Sequence, residues 1–553
     1  MSGDPDRPFA LLVRHFFGRF FDTESLSPQG DPHVNVNQAL GILAAPGAFF
    51  VIVCRPLGLW GWSLEVVRYL FLSISMIVMG LIMVLEWDAL FPDRRDYQIL
   101  TPLPLRLSSL FFAKTIALGL FLVIFLIDVN FFGAFFWPGI DQGRHLFNLF
   151  MSHLTAMLAG GLFTALSIGA LQGVLITLLP GKAYRRTSAT IQTVLMTLLV
   201  MLLFLTPLLA SAMQSLAESA NSLIYYYPGY WFIGLYERMR PATHDPVLLR
   251  LGTLALRGLW IAAVLFIGTY LPFYRRHARK MLETPEPSAS GASRLGSWAG
   301  DVIERTLVPR PIESAVFHFI GQTIRRSIKH RLFLATYGGF GVALALMTSR
   351  SDHDGLLRLS LMLSFVLISG LRAAFNFPSE LRANWAFQIT ETTDIDEYLT
   401  ATRKWIAACA ILPLFGLLAP AELIFFPWRA ALFHLAFGAV LSLLLMELLF
   451  LDFRKVPFTC SRLPGKVNLV GLSVAYILGF TLYSSYLADL ESWLIHVPAA
   501  AAIYFVAVGA ACWLLNHWRR GSIKTAAEAF SSPAGLRYDD PDDPVVRTLG
   551  LTQ

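Results

Sequence analysis

Apolar residues fall in long runs rather than in alternation. The runs lie near 37–54, 67–86, 108–137, 149–180, 189–213 and 252–273, then near 332–349, 356–377, 404–426, 429–450, 467–487 and 493–515. A helix crosses the hydrocarbon layer of a bilayer with about 20 residues, so the pattern predicts about twelve transmembrane helices. Between the two sets lies a polar stretch, 275–311, with the Pro/Ser/Gly-rich run ETPEPSASGASRLGS, which reads as a linker. Two shorter segments have a different period. In the first, Phe9, Leu12, Val13, Phe16, Phe17 and Phe20 share one helical face and Arg14 lies on the other, the pattern of an interfacial amphipathic helix. The second, IESAVFHFIGQTIRRSIKHR (312–331), stands in the same place before the second set of runs.

Composition supports the membrane reading. Hydrophobic residues make up 55% of the chain and charged residues only 15%, against roughly 25% charged in soluble proteins. The formal net charge of +7 reflects where the cations sit. With the N-terminus placed in the cytoplasm, every lysine falls in an inside segment or at an inside span end, as Lys114 and Lys404 do, and the cations outside are all arginines. Positive charge favours the cytoplasmic side, so both termini are expected there. The N-terminus carries Asp4 and Asp6 and no small-residue cleavage site, unlike a signal peptide. Cys54, Cys409, Cys460 and Cys512 form no CxxC pair and suggest neither a disulfide framework nor a zinc site.

The two sets of runs share landmarks. Phe91-Pro92 follows the second run and Phe377-Pro378 the eighth. Tyr97-Gln98-Ile99 is echoed by Phe387-Gln388-Ile389, and each triplet precedes a lysine, Lys114 or Lys404, by the same interval. Common order and offset suggest a duplicated six-span unit in parallel orientation. The expected layout is all-α: a first half over 1–274, a linker over 275–311, a second half over 312–520 and a cytoplasmic tail over 521–553.

Catalytic signatures are sparse. Gly181-Lys182 and Gly465-Lys466 lack the upstream glycine and the following Ser/Thr of a phosphate loop. The chain also lacks HExxH and GxSxG. No catalytic, metal or directly bound cofactor site is therefore expected. Ionisable residues inside spans are functional candidates by default. Asp128 and Asn130 fall in the outer part of the third span and are candidates for a substrate path. Glu422 falls near the outer surface, and Glu86, Arg372 and Glu447 near inner ends. Within 214–250, the aromatic run IYYYPGYWFIGLYERM predicts a short re-entrant or interfacial hairpin on the outer side.

The loops after the second and eighth runs are charged yet rich in apolar anchors. In 88–106 the anchors are Leu90, Phe91, Tyr97 and Ile99, among Asp93, Arg94, Arg95 and Asp96. In 378–403 they are Trp385, Phe387 and Ile389, beside Glu380 and Arg382. Paired cytoplasmic knobs of this kind suit a two-fold partner.

These features resemble the permease subunits of bacterial ATP-binding-cassette (ABC) exporters of the type-two class, in a fused two-half form. The resemblance rests on the six-plus-six layout and on the stretches EWDALFPDRRDYQIL, PLPLR and FFAK, and FPSELRANWAFQITE and FRKVPFTC. It implies elbow helices at 8–21 and 312–331, coupling segments at 88–106 and 378–403, and an outer helical segment at 214–240. In the second half a short loop, Ala488–Ser492, stands where the outer hairpin belongs. It also implies that two separate cytoplasmic ATPase subunits carry ATP and magnesium, that the chain is not itself an enzyme, and that it resides in the bacterial inner membrane. The substrate is expected to be lipid-like or amphipathic. A secondary transporter of six-plus-six build, or an integral membrane enzyme or scaffold, remains the alternative.

The topology is checked by single cysteines in a background lacking the native four. Cysteines replacing Ala220 or Thr243 should react with impermeant maleimide from outside, and those replacing Ser290 or Phe530 only after lysis. Outside labelling at position 290 contradicts the expected orientation.

Overall fold

The computed structural model describes residues 7–21, 64–87, 107–141, 145–218, 222–240, 245–273, 306–348, 355–379, 395–451, 453, 455–459 and 476–527. Among these residues the chain is helical, without strands, and nine helices are long and apolar enough to cross a membrane. It is a multi-pass, all-α chain. Two further expected spans coincide with helical residues 355–374 and 476–494. The first expected span, 37–54, lies outside the described residues. The chain divides into two compact units, Met1–Ser288 and Ala289–Gln553.

The first unit contains α1 (Arg7–Phe21), α2 (Leu64–Leu85), α3 (Leu107–Asp141), α4 (Leu146–Leu178), α5 (Gly181–Glu218), α6 (Pro228–Arg238) and α7 (Pro246–Tyr270). α2 is its centre, with 72% of its apolar window buried. Its C-terminal carbonyls, which have no partner within the helix, are met by amides from neighbours. Gln192 Nε2 donates to the Val84 carbonyl at 2.8 Å, and Gln172 Nε2 donates to that of Trp87, two residues past the helix. The Tyr270 hydroxyl in turn donates to Gln172 Oε1 at 2.5 Å. Threonines enter the apolar helices by back-bonding, as Thr193 and Thr197 do to the carbonyls of Ala189 and Thr193. α1 lies against α3, burying Leu12 and Phe16, with Lys114 Nζ 5.5 Å from the centre of the Phe16 ring.

The aromatic run at 222–240 forms a 3-10 turn, Ser222–Tyr226, followed by α6, which Pro228 opens at its first turn. α6 is buried rather than laid on a surface, and packs against α2, α4 and α7. Its approach to α7 depends on two glycines. A Cβ on Gly234 would stand 2.5 Å from the Gly252 nitrogen, and one on Gly252 would stand 2.8 Å from the Gly234 carbonyl oxygen. Small residues permit this backbone contact.

The second unit contains α8 (Pro311–Arg326), α9 (Ile328–Thr348), α10 (Gly355–Ala374), α11 (Ile395–Ile406), a π turn (Ala407–Ile411), α12 (Leu412–Phe425), α13 (Trp428–Leu449), a second π turn (Leu482–Tyr486), α14 (Leu487–Leu494) and α15 (Pro498–Ala527). The amphipathic stretch expected over 312–331 is divided: Ser327 is extended, with φ −78° and ψ 116°, and residues from Ile328 onward belong to the spanning helix. α8 packs on α11, burying Val316, Phe317 and Ile320. Lys404 Nζ meets Glu313 Oε2 at 2.6 Å, and Arg310 lies 3.6 Å from both Glu313 and Glu397.

Both π turns have structural meaning. Pro413 cannot donate to the Cys409 carbonyl and crowds it. The chain answers with a wider turn, in which the Leu412 amide reaches back to Ala407. In the second turn the Leu487 amide reaches Leu482. In a regular helix Tyr483 and Glu491 would be about 80° apart, and the extra residue in the turn brings them within about 20° of one face. Continuous helix through 487–494 also replaces the expected Ala488–Ser492 loop. The expectation failed because Asp489 and Glu491 read as loop residues, whereas Glu491 is buried against a histidine.

At the far end of α10 an aromatic knot gathers Phe375, Phe450, Phe453 and Phe458. Phe458 has φ 67°, costly for a bulky side chain. It is held by its amide donating to the Phe375 carbonyl at 3.2 Å and its carbonyl accepting from Ser379 at 3.0 Å.

Gly234→Ala or Gly252→Ala should lower stability by about 1–3 kcal/mol through backbone overpacking. Gly268→Ala, where a Cβ meets nothing within 4 Å, should be neutral or slightly stabilising. Thermal unfolding of the three variants in lipid nanodiscs checks this, and equal midpoints would contradict the close approach.

Candidate functional site

Most residues expected to form the site lie outside the described residues. These are Leu90, Phe91, Asp93, Arg94, Arg95, Asp96, Tyr97 and Ile99 in the first coupling segment, and Glu380, Arg382, Trp385, Phe387 and Ile389 in the second. The C-terminal part of the second segment, from Ile395, is described and begins a long helix. Its acids are paired with arginines at the surface of the unit: Asp396 with Arg520 at 3.1 Å and Glu397 with Arg310 at 3.6 Å.

Asp128 and Asn130 are both in α3 but point about 200° apart, so they do not converge. Asn130 is fully buried and its Nδ2 donates to the Leu126 carbonyl at 2.6 Å, an in-helix bond. Asp128 is half-buried on a flank, and its Oδ2 has no hydrogen-bond partner among the described residues.

The structure instead gathers polar side chains into two buried clusters, one in each unit. In the first, Arg68 of α2 donates through Nη1 to Glu237 Oε1 of α6, with both side chains at most 10% exposed. The guanidinium lies 4.3 Å from the centre of the fully buried Tyr236 ring. Arg240, at the rim, adds a 3.3 Å contact to the same carboxylate oxygen. His153 of α4 is fully buried and meets the Phe71 and Tyr236 rings edge to face. Above this layer Tyr69 donates to the Tyr227 hydroxyl at 2.7 Å. Three helices that share no local sequence are thus joined through one ion pair and its aromatic surround.

In the second cluster the imidazole of His434, on α13, is central and fully buried. Its Nδ1 meets Glu491 Oε1 of α14, and its Nε2 lies 2.7 Å from Ser360 Oγ of α10 and 3.5 Å from Glu422 Oε1 of α12. A second tier contains Tyr483, whose hydroxyl is 3.0 Å from Ser364 Oγ and 3.4 Å from Ser442 Oγ.

Charges at the opposite helix ends are also paired. Arg372 donates through Nε to the Leu449 carbonyl at 3.1 Å and lies over the Phe453 ring at 4.8 Å. Arg403 pairs with Glu447 and donates to Asn516 Oδ1 at 3.0 Å. Glu86, one residue past α2, is pushed up to about 7 by burial, with Lys114 opposing the shift. His330 donates from Nε2 to the Phe377 carbonyl at 3.1 Å, which leaves Nδ1 to accept from Ser327 at 2.7 Å.

Little in the residue pattern points to either cluster. Glu422 stood out as an in-span acid. Arg68, His153, His434 and Glu491 are isolated polar residues near span ends, and nothing local links them. The one usable signal was position: His153 and His434 each fall within two turns of the start of a long apolar helix.

Arg68→Ala strands the Glu237 carboxylate in an apolar setting and should cost about 3–5 kcal/mol. Arg240→Ala removes a partly exposed contact and should cost about 1 kcal/mol or less. Denaturation midpoints measured side by side in nanodiscs check the order, and equal effects would contradict a buried pair centred on Arg68.

No protein-family model, curated protein or solved structure matches this chain.

Proposed function

We propose that the chain is the membrane permease subunit of an ATP-binding-cassette exporter, built as two parallel six-span repeats of about twelve spans in all. One observation carries most of the weight. Lys114 and Lys404, paired by their spacing from the two echoed triplets, each contact the amphipathic helix that precedes their own set of spans. Lys114 lies over Phe16 of α1, and Lys404 meets Glu313 of α8. In both units this helix packs on the start of the helix that follows the loop. A repeated device of this kind supports a duplicated unit. It also suits elbow helices that brace spans receiving force from a soluble partner.

On this reading two cytoplasmic ATPase subunits dock on 88–106 and on the part of 378–403 that precedes α11, and they bind ATP and magnesium. The absence of a phosphate loop in the sequence supports hydrolysis on partner chains. Both termini are cytoplasmic, the membrane is a bacterial inner membrane, and the cargo is lipid-like or amphipathic. The buried imidazole and carboxylates around His434 favour a second reading, a proton-coupled secondary carrier, because such groups serve as relays inside membranes. Transport by the purified chain in liposomes, driven by a pH gradient without ATP or a partner, would decide for that carrier.

Truncating a central interface aromatic commonly costs about 2 kcal/mol or more, whereas rim charges matter less. Tyr97→Ala or Trp385→Ala should therefore release an ATPase subunit or uncouple hydrolysis from transport, with insertion unchanged. Arg94→Ala should be milder. Co-purification of the ATPase with each variant, together with substrate-stimulated hydrolysis, is the test. Wild-type assembly and coupling in both aromatic variants would remove these segments as the docking site.

A further inference from the structure

The His434 cluster differs in kind from the Arg68 cluster. There the Glu237 carboxylate is matched by arginines, Arg68 and at the rim Arg240, and arginine keeps its charge at any physiological pH. Around His434 two carboxylates, Glu422 and Glu491, flank one imidazole. Even with both ring nitrogens protonated, that arrangement leaves one negative charge uncompensated in an apolar surround.

Neighbouring charges do not supply the missing cation. From α10, Arg358 is engaged by Asp489 of α14 at 3.1 Å. On α13, Arg429 lies over the exposed Trp428 ring. The second π turn contributes the Tyr483 hydroxyl, and α15 contributes Tyr504. Two carboxylate oxygens, Glu422 Oε2 and Glu491 Oε2, are buried with no hydrogen-bond partner among the described residues. Both residues are more than nine-tenths buried. An unsatisfied buried acceptor with net negative charge is costly. One further proton on a carboxylate removes that excess negative charge.

We propose that His434, Glu422 and Glu491 form a proton-binding site that holds a proton on Glu422 in addition to the one on the imidazole. Glu422 is the acceptor because its contact to His434 is the longer one, at 3.5 Å, while Glu491 bonds the ring directly. The proton comes from water and converts the Glu422 carboxylate to a carboxylic acid. Asp489, two residues before Glu491 on the same helix, is 61% exposed and pairs with Arg358, so charged side chains stand at the surface of the unit within one turn of the site. The site belongs to the second unit alone and does not depend on any ATPase partner.

Difference infrared spectroscopy on the full chain in lipid nanodiscs, across a pH titration, tests the site. At neutral pH the wild type should show a carboxylic-acid carbonyl band that disappears as pH rises. Glu422→Gln should lose that band, while Asp489→Asn retains it. Because glutamine is neutral and nearly isosteric with the acid, Glu422→Gln should unfold at the wild-type midpoint at neutral pH. A Glu422→Gln spectrum that overlays the wild type, or a clear drop in its midpoint, overturns the proposal by showing that Glu422 is a carboxylate paired with His434.

Discussion

A charge carried among apolar helices must have its counter-charge with it, and the described parts of this chain are arranged around that requirement. Desolvating an ion costs several kcal/mol unless a partner and hydrogen bonds replace the water. Arg68 sits early in a helix whose apolar window is mostly buried, so Glu237 must come to it. Glu237 arrives on α6, which explains why this short helix is buried in the first unit rather than resting on its surface. The Gly234–Gly252 contact then lets α6 come close enough to α7 to be held there. The ion pair, the glycines and the aromatic layer of Tyr236 and Tyr69 thus form one mutually dependent assembly.

The second unit meets the same requirement with different chemistry. Helix α14 carries Glu491 into the apolar interior because His434 receives it, and the π turn before α14 sets its rotation. Elsewhere arginines are absorbed by carbonyls and rings, as Arg372 is by Leu449 and Phe453. Lys404 anchors α8 and Lys114 reaches α1. Amphipathic helices and spans are therefore joined by specific polar contacts as well as by apolar packing.

Periodicity made most of this architecture legible. Apolar runs pointed to the nine long apolar helices found among the described residues, and the face shared by Leu12 and Phe16 identified α1, which does bury them. The Tyr225–Tyr236 stretch gave away a non-spanning helical element through Pro228 and its aromatics. What escaped was tertiary. Arg68 and Glu237 are 169 positions apart, and His434 and Glu491 are 57 apart, so no local window contains either pair. The helix at 487–494 was missed for the same reason: two acids in eight residues look like a loop until one is seen to be neutralised. The Ser327 break escaped because Ile328 and Leu332 continue the apolar pattern across it. The candidate docking residues were visible only as composition, aromatic anchors among charges.

The π turn at Leu482–Tyr486 makes the helix behave like a vernier. One residue more than a regular turn holds Tyr483 and Glu491 in step, so deleting any single residue between them would advance the rest of the helix by about 100°. Glu491 would then rotate away from His434 while every side chain kept its chemical identity. Substitutions in this stretch alter one contact each, but a change of length alters them all. The tolerance of this helix to insertion and deletion is therefore set by angular phase, and its residue count carries as much information as its residues.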